Sequence, residues 1–345
     1  MNQNNEVPTK LHAKLITVAT IGAVGGFLFG YDTSVINGAV DAIASPDSGF
    51  GLNAAMSGFS VSSAMIGCVV GAWFAGTLAD RIGRVRVMQL AAALFVFSAL
   101  FTGLASNIWV FVIFRIVGGL GVGFPSAIGP AYISEISPSS RRGFLTGFQQ
   151  MAIALGIVAS LVVNDSYLLG SGGAAVTFWA GLETWRWMLM TTAVPGVIMF
   201  ALTFALPESP RYLVNKGDTR NAFKVLTLIR KDVDQTQVQI ELDEIKAVAA
   251  QDTKGGVREL FRIARPALVA AIGIMLFQQL VGINSVIYFL PQVFIKGFGF
   301  PEGDAIWVSV GIGVVNFVST IVATLIMDRF PRKGVLIFGS IVMTV

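Results

Sequence analysis

GTLADRIGRVR, residues 76–86, closes one long apolar run and opens the next, and a near copy, ATLIMDRFPRKG, occupies residues 323–334. Asp80, Arg81 and Arg84 of the first align with Asp328, Arg329 and Arg332 of the second. Each copy follows the second apolar run of its own group of runs. Charge bias beside a membrane span explains the arginines, but it does not explain an aspartate at the same offset in both. A motif that returns at one place in two groups of spans marks a duplicated helical bundle, the architecture of secondary transporters. Gly83 of the first copy becomes Pro331 in the second, which makes the second turn the stiffer one.

Composition supports this reading. Hydrophobic residues make up 54% of the 345 and charged residues 13%, whereas a soluble domain carries about 25% charged residues. Runs long enough to cross about 30 Å of hydrocarbon, roughly 20 residues each, fall at 15–40, 56–79, 87–106, 108–133, 144–163, 185–206, 267–290 and 305–327. A ninth begins near Val335 and is cut short at Val345, so the chain is expected to be a fragment of a longer design. The expected class is an all-α membrane protein. Its parts are a six-span bundle over 1–206, a cytoplasmic helical linker over 207–265, and a partial second bundle over 266–345. That linker is highly charged with bases and acids nearly balanced, and NAFKVLTLIRK and QIELDEIKAVAA within it have helical periodicity.

Loop charges set the orientation. Lys10 and Lys14 precede the first span, Arg81, Arg84 and Arg86 follow the second, and Arg141 and Arg142 follow the fourth. Loops 41–55 and 164–184 hold acids without Lys or Arg. The positive-inside rule then puts the N-terminus in the cytoplasm of a plasma-membrane protein. The start, MNQNNEVPTKLHAK, lacks a cleavage signal, and the first apolar run is read as a retained span. One cysteine, Cys68, excludes an internal disulfide framework and a Cys-based metal site. The single histidine, His12, precedes the first span and is no buried base. The basic residues form no patch with interleaved aromatics, which argues against nucleic acid. No span carries a metal set, an activated nucleophile or paired carboxylates, so an enzyme is not expected.

Two charges lie inside spans. Asp32, within GGFLFGYDTSVING (residues 25–38), is 8 residues from the outer end of the first span, about 12 Å. Arg115 is 7 residues from the outer end of the fourth, about 10 Å. Opposite charges at matching depth are expected to pair inside the bundle, because each alone in lipid costs several kcal/mol. Gly22, Gly26 and Gly30 recur every four residues and form a smooth face for close helix packing. Amides cluster elsewhere: Gln149 and Gln150 in GFQQMAIALG, and Gln278, Gln279, Asn284 and Tyr288 in FQQLVGINSVIYF. Amides present donor and acceptor together, which suits a ligand with many hydroxyls. Gly282 permits a break that would bring the two ends of that last stretch together, as in the discontinuous helices of transporters.

These stretches, with RIVGGLGVG, PESPRYL and DRFPRK, resemble the sugar porter family of the major facilitator superfamily over the whole chain. The resemblance implies a twelve-span fold of two six-helix bundles, of which the second is incomplete here. It implies that Asp32 is the proton-coupling acid with Arg115 as its partner; uniporting members carry a neutral residue at the acid position. Gln150, Gln278, Gln279, Asn284 and Tyr288 match positions that bind sugar hydroxyls, and Phe29 matches a pocket aromatic. Phe289 stands where a second tyrosine is common. Asp80, Arg81, Arg84, Glu135, Arg142, Glu208 and Arg211, with Asp328, Arg329 and Arg332 of the repeat, match the salt-bridge network of the cytoplasmic gate.

The expected function is proton-coupled uptake of a monosaccharide or polyol by alternating access, with the proton as coupling ion and no cofactor. Its expected partners are the sugar and the lipid bilayer, with no nucleic acid, and the protein is expected to be monomeric. An uncoupled facilitator, a non-transporting fragment and a sensor-like sugar binder are the competing readings.

Overall fold

A computed structural model describes residues 13–45, 48, 50–138, 141–230, 233–251, 265–282, 286, 289–326 and 332–344. Every named element among them is helical. α1 (Ala13–Val35) tightens into a 3₁₀ turn at Ile36–Gly38 and leads to the short α2 (Val40–Ala44). α3 (Ala54–Ile82), α4 (Arg84–Gly103), α5 (Ile108–Ile136) and α6 (Arg142–Ser171) follow. α7 (Thr184–Met190) and α8 (Ala193–Thr203) complete the first bundle. Seven described helices or helix pairs are long and apolar enough to cross a bilayer, and the chain is a multi-pass membrane protein. Its outward face is correspondingly apolar, with Val69, Trp73 and Trp109 exposed.

Local chemistry sets the boundaries. The side chains of Asn53 and Asn107 accept from the amides of Met56 and Val110, capping α3 and α5. Gly83 separates α3 from α4 at φ +103, a conformation strained for any L side chain, and the Glu208 carboxylate occupies the space a Cβ would need. This explains the glycine in DRIGR. α5 carries Pro125 and Pro130 without ending, and Pro125 packs against the bare backbone of Gly25.

Three spans differ from their expected form. The fifth run was expected to end at 163, yet α6 continues to Ser171, because nothing breaks it before Gly172 at φ +83. Asn164 and Asp165 therefore lie in a helix, not in a loop. The sixth is divided at Thr191–Thr192, one turn before Pro195, whose ring leaves it no amide to continue the helix. Within the seventh run, α12 (Arg265–Leu280) spans 16 residues, and Gly282 beyond it sits at φ +79.

Between the bundles, α9 (Pro210–Asn215), α10 (Thr219–Ile229) and α11 (Gln235–Gln251) form the linker. It is docked. Ala222, Leu226, Ile229, Val238 and Leu242 join the bundle's buried core, and Arg230 donates to the Ile136 carbonyl while gripping both oxygens of Glu241. α13 (Glu302–Ile326) lies antiparallel along α6, with Gly147 against Thr324 at one end and Gly313 against Leu161 at the other. α14 (Arg332–Thr344) is the start of the ninth run.

The glycine face of α1 packs as expected. A Cβ on Gly30 would meet the Ile153 carbonyl of α6, and one on Gly26 would meet Gln149. Gly30→Val is thus expected to lower the thermal midpoint, since overpacking costs about 1–3 kcal/mol. Gly76→Val, with nothing within 4 Å, serves as the control and should change little. Equal shifts in a thermal-shift assay would disprove the packing role.

Candidate transport site

Asp32 and Arg115 meet inside the first bundle. Arg115 Nη1 donates to Asp32 Oδ1 at 2.8 Å, with side-chain exposures of 6% for the arginine and 14% for the acid. The pair sits where two buried clusters adjoin. One includes Leu28, Phe95 and Val122, the other Tyr31, Phe111 and Leu189. Arg115 Nε and Thr102 Oγ1 are buried without a hydrogen-bond partner among the described residues. Asp32, Arg115, Ser98, Thr102 and Thr192 line a cavity of about 10 Å³, the size that takes one water molecule. A buried ion pair contributes little net stability, but losing one member leaves an uncompensated charge worth about 3–5 kcal/mol. The arrangement therefore makes the contact of α1 with α5 depend on the charge state of Asp32.

The amides are divided between elements. Gln150 is exposed on α6, Phe29 is half-buried against the core, and Gln278 and Gln279 are exposed near the end of α12. Asn284 and Tyr288 lie outside the described residues, as do Asp328 and Arg329 of the repeat. Gln150 and the α12 amides thus come from separate helices of the described chain. Gln149, beside Gln150, is buried against Gly26 and Gly129, with both amide atoms unpartnered among the described residues.

The basic end of the bundle is organised by Arg84. Its Nε and Nη2 donate to the two oxygens of Glu135 at 3.1 and 3.0 Å, and Nη1 lies 2.9 Å from Asp80. Its backbone N–H, with those of Val85 and Ser209, donates to Glu208. The guanidinium also lies over the Tyr212 ring, 5.6 Å from its centroid. Arg81, Arg142 and Arg211 are exposed, and Arg332 begins α14. Among the described residues this cluster links α3, α4, α5 and the 207–212 segment of one bundle.

Burial holds the Glu208 carboxyl above its usual range, outweighing its backbone donors and Arg84. A raised carboxyl binds its proton more tightly in the folded chain than in the unfolded one. Its stabilising contribution is complete below the unfolded value and is lost as pH rises through the folded one. The midpoint of wild type relative to Glu208→Gln should therefore fall as pH rises from about 4 toward neutrality. Parallel pH profiles would refute this.

Several polar residues escaped the sequence reading. Asn164 is buried and donates through Nδ2 to the Val35 carbonyl at 2.9 Å, where α1 tightens. Arg186 donates to the carbonyls of Gly103 and Ala105 and pairs with Glu183, tying the end of α4 to α7. The acceptor for Asn164 arises where α1 leaves α-helical geometry, which no local pattern announces. For Arg186 the signal was present, a Glu183–Arg186 spacing of three at a helix start.

Comparison with known proteins agrees with the helical membrane fold. The family model described as "Sugar (and other) transporter" matches residues 18–345. The "Glucose transport protein" of Synechocystis sp. is 39% identical over 335 residues, covering 96% of this chain and 70% of that protein. The "D-xylose-proton symporter" of Escherichia coli is 33% identical over 354 residues, covering 96% and 70%. Among solved structures, the proton:xylose symporter XylE bound to 6-bromo-6-deoxy-D-glucose matches with TM-score 0.83 at 31% identity, covering 94% of this chain and 71% of that one. The inward open conformation of XylE from E. coli matches at 0.71, with 31% identity and coverage of 92% and 70%. The chain thus superposes better on the sugar-analogue complex than on the inward-open form.

Proposed function

This chain belongs to the sugar (and other) transporter family, and from that membership we propose that it carries out proton-coupled uptake of a monosaccharide or polyol by alternating access. The observation that carries the coupling is the buried Asp32–Arg115 pair. Relatives named as arabinose-proton and D-xylose-proton symporters support it.

While Asp32 is ionised, its attraction to Arg115 holds α1 against α5. A proton on Asp32 cancels that attraction and frees the two helices to shift. The proton is then both cargo and key. The proton leaves Asp32 as the contact with Arg115 closes again. Gln150, Gln278, Gln279, Asn284 and Tyr288 bind the sugar hydroxyls, with Phe29 as an apolar wall. The Arg84–Glu135–Glu208 cluster stabilises the closed cytoplasmic face, helped by Asp80, Arg81, Arg142 and Arg211. Asp328, Arg329 and Arg332 do the same in the second bundle. The arginines at the basic end support a cytoplasmic N-terminus in the plasma membrane. The protein works as a monomer with the proton as coupling ion and no cofactor.

Right-side-out vesicles containing the chain, in weakly buffered medium, test this with a pH electrode. Addition of D-glucose, D-xylose or L-arabinose should alkalinise the medium as one of them enters. Entry of radiolabelled sugar without alkalinisation would establish a facilitator instead.

A further inference from the structure

The end of the first bundle remote from Arg84 meets the second half of the chain across a separate cavity. It measures about 340 Å³, and its wall includes Asn37, Asp41, Asn164, Leu168, Gln292 and Ile295. Small-molecule sites begin at about 300 Å³. Two of its amides are more than nine-tenths buried, Asn164 at 3% exposure and Gln292 at 9%. Asn164 uses Nδ2 on the Val35 carbonyl, while its Oδ1 has no partner among the described residues. Gln292 directs Nε2 toward the Asn37 carbonyl and Asp41, each at 3.4 Å, while its Oε1 is likewise unpartnered. A buried acceptor without a donor is costly, and two of them in the wall of one cavity call for a ligand that donates at both.

Charge narrows the ligand further. The Asp41 carboxylate is matched by Lys296 at 3.3 Å, so the rim has no net charge to offer an ion. Leu168 and Ile295 give aliphatic surface for C–H faces. Neutral amide acceptors, aliphatic walls and this volume together fit a compound with several hydroxyls.

Position separates this cavity from Gln150. Asn164 lies fourteen residues beyond Gln150 on the unbroken α6, about 21 Å at 1.5 Å per residue. One monosaccharide cannot reach both.

We infer that this cavity is a second site for a monosaccharide or polyol, held between the 37–45 segment, α6 and the 291–295 segment before it reaches the central amides. The inference takes its ligand class from the proposed sugar transport, while its location rests on the cavity alone.

A D-glucose derivative bearing a diazirine, applied below saturation to the whole chain in lipid nanodiscs, tests it. Labelled peptides are mapped by mass spectrometry, with and without excess D-glucose. The expected result is competed label on peptides containing Asn164 or Gln292. That label should fall about fivefold in Gln292→Met, the loss of one neutral hydrogen bond, with label around Gln150 unchanged. Asn164→Leu should do the same, but it also removes the bond to Val35. Gln292→Met therefore decides the matter if Asn164→Leu fails to fold by size-exclusion profile and thermal midpoint. Competed label confined to the Gln150 and Gln278 peptides, or outer label that excess D-glucose or Gln292→Met leaves undiminished, overturns the second site. Outer label without any central label would instead refute the central sugar site and leave this one standing.

Discussion

Asp32→Asn is expected to abolish sugar accumulation driven by a proton gradient while leaving exchange of the same sugar across the membrane intact. One pH unit is worth about 1.4 kcal/mol, so one proton per sugar supports about tenfold accumulation. The variant should reach a ratio of one, the value of an unenergised vesicle. Asparagine keeps an oxygen where Asp32 Oδ1 now accepts from Arg115 Nη1 at 2.8 Å, so the contact geometry survives while the titration is removed. Exchange requires the sugar site and the helix movements but no net proton transfer. Loss of both activities would point to a structural acid, and survival of accumulation would remove Asp32 from the coupling step.

The second large effect concerns stability. Arg115→Leu removes the counter-charge of an acid whose side chain is 14% exposed, and the chain should lose about 3–5 kcal/mol if that acid stays charged. Asp32→Asn in the same chain should restore a large part of the loss, because no buried charge then remains. A double-mutant cycle on unfolding midpoints measures the coupling between the two directly. A double variant no more stable than Arg115→Leu alone would show that the arginine acts through packing rather than charge.

Much of this was legible in the sequence because depth in a membrane can be counted. Asp32 and Arg115 lie on different spans, yet residue counts from the span ends put them at one level, and the structure joins them. The DRIGR stretch was visible as a repeat, but the need for its glycine was not: the positive φ of Gly83 and the Glu208 carboxylate beside it arise from the fold. Adjacent amides were harder. Gln149 and Gln150 differ by about 100° of helix rotation, and only the packing of Gly26 and Gly129 shows which one is buried. The length of α6 was misjudged because Asn164 and Asp165 look like loop residues by composition. Their burial comes from neighbouring helices, which a one-dimensional pattern does not record. The docking of the linker had the same cause: its charged face was visible, but the anchoring of Arg230 to the Ile136 carbonyl depends on where α5 stops.

The thirty residues of α6 have a mechanical meaning. At 1.5 Å per residue they make a beam about 45 Å long, braced along its length by α13. Rocking such a beam by about 5° around its middle displaces its ends by about 2 Å in opposite directions. Arg142 begins it at the arginine-rich end, and Asn164 stands near the other. In the proposed transport cycle, a widening at one mouth would thereby be delivered as a narrowing at the other, with no signal passing through the sugar.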